Sequence, residues 1–317
     1  MIAATLAVEL FLMTCIGIFT AKLKIVPDVF ATHLTSFLMK VALPCLIIVS
    51  ISANKFSLEL LRNCFLALAA GLVVTLLFLL IGHIFYLLMG KSGVGRVMRY
   101  GLTFPHYSFM GIPIIDALFG ATGNLYYVMF LVPVRILYYT LSPRLLDPSE
   151  RQTEKKSLSE TLKTVFNPCM CAVVIGAVFW IFGWKFPTVI QYCLDSMNKI
   201  CSPLGLVLCG LVLGRNEIRQ LANPRFFRLP LARTILMPLI FLALTRPLLM
   251  LGLDPVLCNM IVIYAALPCA SLTAVYALQY EPDPDVQFEA AGSVFFATLL
   301  STITIPIWHT ILFTFFN

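Results

Sequence analysis

Apolar stretches of about 17 to 25 residues, the length a helix needs to cross a bilayer, recur from one end of this chain to the other. Ten can be read: 2–20, 30–51, 63–89, 96–118, 124–143, 164–183, 188–214, 230–250, 256–280 and 286–315. The pattern predicts an all-α polytopic membrane protein with ten transmembrane helices. Met1 enters the first span directly, without a basic leader or an Ala-x-Ala site, so that span is expected to be a retained anchor.

Two spans depart from the apolar pattern. The fourth carries Phe104-Pro105-His106-Tyr107-Ser108 through Gly111-Ile112-Pro113, and the ninth carries Leu267-Pro268-Cys269-Ala270-Ser271 through Thr273 and Tyr276. Proline alone does not distinguish them, because Pro44, Pro133, Pro203, Pro238, Pro247 and Pro306 also lie in or near spans, where kinks are accommodated. Their polar company does. Unwound backbone at membrane depth must be buried in protein or line a cavity, and in secondary transporters that cavity is the binding site.

A polar, charge-mixed linker, 144–163, separates residues 1–143 from 164–317, with five spans in each half. An odd number of spans makes the second half enter the membrane inverted. Pro105 and Pro268 stand 163 residues apart, as do Pro143 and Pro306, a weak internal symmetry that supports two inverted five-helix repeats. Two inverted halves would bring the breaks together, and the N-terminal ends of the half-helices that follow favour a small anion. The competing reading of each break is a packing kink whose hydroxyls bond back to the preceding turn.

Composition agrees with the membrane class: 60% of the 317 residues are hydrophobic and 12% charged, and the mean hydropathy is +0.94. The net charge of +7 calls for no nucleic acid. With the N-terminus outside, fifteen Lys and Arg fall in inward loops, among them Arg96, Arg99, Arg225, Arg228 and Arg233, against Lys55, Arg62 and Lys185 outside. The positive-inside rule therefore puts both termini outside.

Ionisable residues inside spans are candidates for function because a central charge costs about 2.5 to 3.5 kcal/mol on insertion scales. His106 can bind substrate or carry a coupling proton. Arg135 can serve an acidic substrate or pair with Glu9 or Asp116. Lys40, His83, Arg246 and His309 also lie in or at the ends of spans. The ten cysteines are scattered through apolar sequence and read as core residues, without metal-ligand spacing. Gly90-Lys91-Ser92-Gly93 resembles fragments of a phosphate-binding loop and of an intramembrane protease motif, but Phe85 stands where the first needs glycine, and a turn between spans explains the rest. No catalytic role or cofactor is expected.

The run from Phe104 to Pro113 resembles the fourth-span signature of the auxin efflux carrier family, in which an Asn precedes the proline of a Gly-x-Pro by seven residues; His106 holds that position here. Ala266-Leu267-Pro268, Tyr280 and Pro284-Asp285 are similar to the ninth span, and Leu43-Pro44 and Asn167-Pro168 also match. The resemblance implies crossed, broken helices 4 and 9, a scaffold of helices 1, 2, 6 and 7, and a mobile domain of helices 3–5 and 8–10. It further implies an elevator-type carrier of small organic anions in the plasma (inner) membrane, forming a homodimer through its scaffold. Gly210-x-x-x-Gly214 would suit close contact at that scaffold interface, or ordinary close packing within one subunit. The substrate-binding candidates are Pro105, His106, Tyr107, Ser108, Gly111, Pro113, Pro268, Ser271, Thr273 and Tyr276. A sodium-coupled symporter of the bile-acid type and a non-transporting receptor using the same pocket are the alternatives.

Overall fold

A computed structural model of the chain describes residues 12–13, 15–27, 29–141, 145–146, 168–214, 224–270 and 272–315. Glu9, Ser271, Asn167 and nearly all of the linker lie outside the described residues. After an initial helical segment ending at residue 22, the main elements are α1 (Phe30–Ser52), α2 (Leu58–Leu88), α3 (Gly93–Thr103), α4 (Ile112–Leu141), α5 (Pro168–Phe182), α6 (Thr188–Gly214), α7 (Pro224–Met250), α8 (Pro255–Ala266), α9 (Leu272–Tyr280) and α10 (Pro284–Phe315).

The described residues contain no β-strand, only one antiparallel backbone bridge between Pro105 and Cys269. Among the described residues, five helices are long and apolar enough to cross a membrane: α1, α2, α7, Ile112–Tyr138 of α4 and Pro284–Thr314 of α10. Within α4, Gly120 has φ +63° and ψ −159°, a conformation that only glycine adopts without strain. It interrupts the helix between the expected fourth and fifth spans. At 1.5 Å per residue, the 11 residues of α3 and the 12 of α8 reach roughly 16 to 18 Å, about half of a hydrocarbon core.

Element boundaries recur at an offset near 163 residues. Leu58–Leu88 is followed at that distance by Pro224–Met250, and Gly93–Thr103 by Pro255–Ala266. The interruption at Gly120 corresponds to the non-helical residues 281–283 between α9 and α10.

Three short π-helical turns have a common cause. Leu38–Ala42, Tyr107–Gly111 and Ala232–Leu236 each end two residues before a proline, respectively Pro44, Pro113 and Pro238. Proline has no N–H, and its ring clashes with the carbonyl four residues earlier. A wider turn just ahead moves that carbonyl aside, and the N–H groups of Leu43 and Met237 reach back five residues to Leu38 and Ala232.

The chain forms two compact units. One comprises Met1–Leu68, Ser108–Val132 and Val165–Glu217; the other comprises Ala69–Tyr107, Pro133–Thr164 and Ile218–Asn317. Each draws on both halves of the sequence. In the first, α1 packs against α5 and α6. A Cβ added to Gly17 would lie 2.8 Å from the Gly210 Cα, and one added to Gly214 would lie 2.7 Å from the Ile18 carbonyl. The Gly210-x-x-x-Gly214 face is therefore occupied by the chain's own initial helical segment, the close packing within one subunit that was the alternative to a scaffold interface.

In the second unit, α8 is buried along nearly its whole length. Asp254 caps its start, accepting from Val256 N at 2.7 Å, with Pro255 in the first turn. Phe78 of α2 stacks on Tyr264 of α8 and meets Phe241 of α7 edge-on at 4.8 Å. The Trp308 indole of α10 donates to the Thr234 carbonyl at 2.9 Å. Ser92 caps α3 by accepting from Gly95 N at 3.1 Å, beside the positive-φ residues Gly90 and Lys91. The Gly90–Gly93 fragment is thus a turn and cap.

Candidate functional site

Both breaks begin for the same local reason. A residue before proline is excluded from the helical region, and Phe104 (φ −114°, ψ 106°) and Leu267 (φ −60°, ψ 144°) are extended. Thus α3 and α8 stop one residue short of Pro105 and Pro268. Helix termination strands backbone groups that a membrane interior cannot solvate.

Each break supplies partners for the other. His106 N donates to the Pro268 carbonyl at 2.8 Å, and Ala270 N donates to the Phe104 carbonyl at 3.0 Å, around the Pro105–Cys269 bridge. The sequence expectation that the two breaks meet is met by these bonds, made within one compact unit. Tyr107 N also turns back to the Pro105 carbonyl at 2.8 Å.

The pairing continues along the half-helices. Tyr100 of α3 meets Tyr276 of α9 edge-on at 5.8 Å. Farther along, Arg96 forms a bidentate pair with Glu281, Nε to Oε1 at 2.5 Å and Nη2 to Oε2 at 2.7 Å. Glu281 is 3% exposed. Gly93 lets this end close, since an added Cβ would stand 2.9 Å from Glu281 Oε2. The antiparallel pair of α3 and α9 is therefore held by backbone bonds at the breaks and by charge at its far end.

Tyr138 joins the surrounding aromatic group, edge-on to Phe104 at 4.9 Å and to Tyr107 at 5.5 Å. His106 and Tyr276 are half-buried, and Tyr107 is buried. Thr273, in the first turn of α9, is fully buried, and its Oγ1 has no hydrogen-bond partner among the described residues. By contrast, Thr103 Oγ1 donates to the Arg99 carbonyl at 2.7 Å, the back-bond expected at an ordinary kink. Ser108, Gly111 and Pro113 belong to the first unit, where Gly111 and Pro113 are buried.

Arg233 overturns its assignment to an inward loop. It is fully buried, donating from Nε to the Leu267 carbonyl at 2.9 Å, from Nη1 to Leu102 at 2.6 Å and from Nη2 to Tyr264 at 3.4 Å. Its guanidinium lies 4.5 Å from the Phe78 ring centroid. One side chain thus binds the carbonyl ends of both helices that lead into the breaks. Its position inside the span 230–250 was the available sequence signal, masked by the neighbouring loop cations Arg225 and Arg228.

Asp116, one of the partners left open for Arg135, is bonded to an amide. Asp116 Oδ1 accepts from Asn124 Nδ2 at 3.2 Å, and the same amide donates to Ser50 Oγ at 2.8 Å. A short amide eight residues along reaches the carboxylate where the interruption at Gly120 folds the chain back. Arg135 is 4% exposed and has no ion-pair partner among the described residues. Those residues contain no cluster of His, Cys, Asp and Glu suited to a metal ion.

Long apolar helices and two interrupted helices joined through unwound backbone define a membrane protein of the transporter class. A family model described as "Membrane transport protein" matches residues 2–309, and the chain belongs to that family, the auxin efflux carriers. It is 22% identical to a protein of Rhizobium meliloti named "Putative malonate transporter", over 95% of this chain and 92% of that one. It is also 24% identical to an "Uncharacterized transporter" of Methanocaldococcus jannaschii, over 98% and 99% of the two chains. A third relative, an "Uncharacterized transporter" of Methanothermobacter thermautotrophicus, is 26% identical over 73% and 74%.

Proposed function

We propose that this protein is a secondary carrier of small organic anions, with dicarboxylates such as malonate the first substrates to test. The observation that carries the proposal is the backbone pairing of the Pro105 and Pro268 breaks, beside a half-buried His106 and the buried Thr273 hydroxyl. The name of the Rhizobium meliloti relative points to the same substrate class. His106, where family members carry Asn, is proposed to contact substrate and to make transport responsive to protons.

The proposed architecture has ten transmembrane helices in two inverted five-helix repeats, with helices 4 and 9 broken and crossed. The recurrence of boundaries near 163 residues supports it. The interleaved composition of the two compact units supports a scaffold and a transport domain that work by an elevator-type movement. Residence in the plasma (inner) membrane, both termini outside and a homodimer complete the proposal.

One observation favours a sodium-coupled alternative: Asp116, Ser50 and Asn124 gather hard oxygen atoms, and Asn124 Oδ1 is buried without a partner among the described residues. Purified protein in liposomes should accumulate labelled malonate, and His106→Ala should slow uptake about ten-fold, the cost of one lost substrate hydrogen bond to a charged group. No uptake or binding across a panel of organic acids would sink the carrier reading. Dependence on a sodium gradient, abolished in Asp116→Asn, would select the coupled alternative.

A further inference from the structure

The three bonds of Arg233 bear on the charge of the solute. A helix C-terminus carries about half a negative elementary charge, and α3 and α8 both present theirs to this side chain through the Leu102, Tyr264 and Leu267 carbonyls. Two such ends amount to about one negative charge, which one guanidinium, always protonated, offsets. Without it, the ends leading into the breaks would repel an anion.

The other helix end at this break has the opposite sign. α9 begins at Leu272, directly after the pairing segment, and its nine residues direct a positive N-terminus back toward the break. The second residue of that helix is Thr273, whose fully buried Oγ1 has no partner among the described residues and can donate to an anion.

We propose that Arg233 is a positioning residue that sets the charge preference of the carrier: it neutralises the two carbonyl ends so that the amide end of α9 and the Thr273 hydroxyl dominate the field at the break. The inference rests on the carrier reading above. Arg233 acts through the helix ends, without touching the solute.

The test compares full-length wild type with Arg233→Lys, Arg233→Gln and Arg233→Met, using equilibrium binding of labelled malonate and of its neutral analogue malonamide. Thermal melting and gel filtration report folding. Arg233→Lys should keep malonate affinity within about three-fold. The neutral variants should lose about ten-fold or more, the scale of one unit charge several ångströms from a carboxylate at an intermediate effective dielectric, while malonamide binding holds or improves. If Arg233→Met fails to fold, Arg233→Gln, which retains amide donors, decides.

Equal losses in the Lys and Gln variants, or unchanged discrimination in a neutral variant, would overturn the charge role. Folding of the Lys variant alone would also overturn it, in favour of a purely structural staple. Wild type that binds neither malonate nor any other organic acid would instead defeat the carrier reading itself.

Discussion

Glu281 illustrates how much rests on single polar side chains in this molecule. Its carboxylate is almost entirely enclosed and receives two bonds from Arg96, while its own carbonyl accepts from Gln287 Nε2 at 2.8 Å. Removing one partner of a buried pair leaves the other charge uncompensated, at a cost of about 3 to 5 kcal/mol. Glu281→Gln is therefore expected to lower the thermal midpoint markedly in detergent, whereas exchanging the pair as Arg96→Glu with Glu281→Arg should recover part of the loss. A midpoint unchanged in Glu281→Gln would show that the far ends of α3 and α9 are held by packing alone. Arg233 and Arg96 look alike in sequence, both basic residues at the edge of an apolar block. Only their surroundings separate a helix-end staple from an ion-pair partner.

The informative elements are the short helices around the breaks, α3, α8 and α9. Pro105 and Pro268 end α3 and α8 by barring the preceding residue from helical geometry, and the freed backbone groups are then paired across the two breaks. Replacing Pro268 with Ala removes that bar, so Leu267 can join the helix and the carbonyl bonded by His106 N is redirected. Pro268→Ala should retain the fold but reduce malonate uptake in liposomes about ten-fold or more, as misplacement of a binding group does. Wild-type uptake in that variant would mean that the break is kept open by tertiary contacts rather than by proline.

Much of this level was legible in the sequence, because the proline effect is local and the polar neighbours stand out against apolar flanks. The use of Gly210 and Gly214 was not. A small-residue face permits close approach but does not name the approaching helix, and here it is the chain's own segment around Gly17. Asp116 likewise had several plausible partners until the turn at Gly120 brought Asn124 to it.

For the whole molecule, the carrier reading has a consequence that needs no knowledge of direction or coupling. A ligand bound only by the folded state stabilises it by about 2.7 kcal/mol at one hundred times its dissociation constant. Malonate or another substrate should therefore raise the thermal midpoint of the purified protein in a concentration-dependent way, and Arg233→Lys should preserve more of that shift than Arg233→Gln. A panel of mono- and dicarboxylates that leaves the midpoint unmoved would weigh against a preformed anion site.

The sequence by itself determined the membrane class, the two proline-led breaks and the family, because each depends on local chemistry: apolar length, the restriction on a residue before proline, and the short motif spacing around His106. Tertiary structure decided which backbone atoms pair across the breaks, which helix fills the glycine face, and that Arg233 is buried on two helix ends. Those outcomes depend on segments separated by more than a hundred residues, as between Arg233 and Leu102. The desolvation that makes such contacts obligatory exists only once the chain has folded around them.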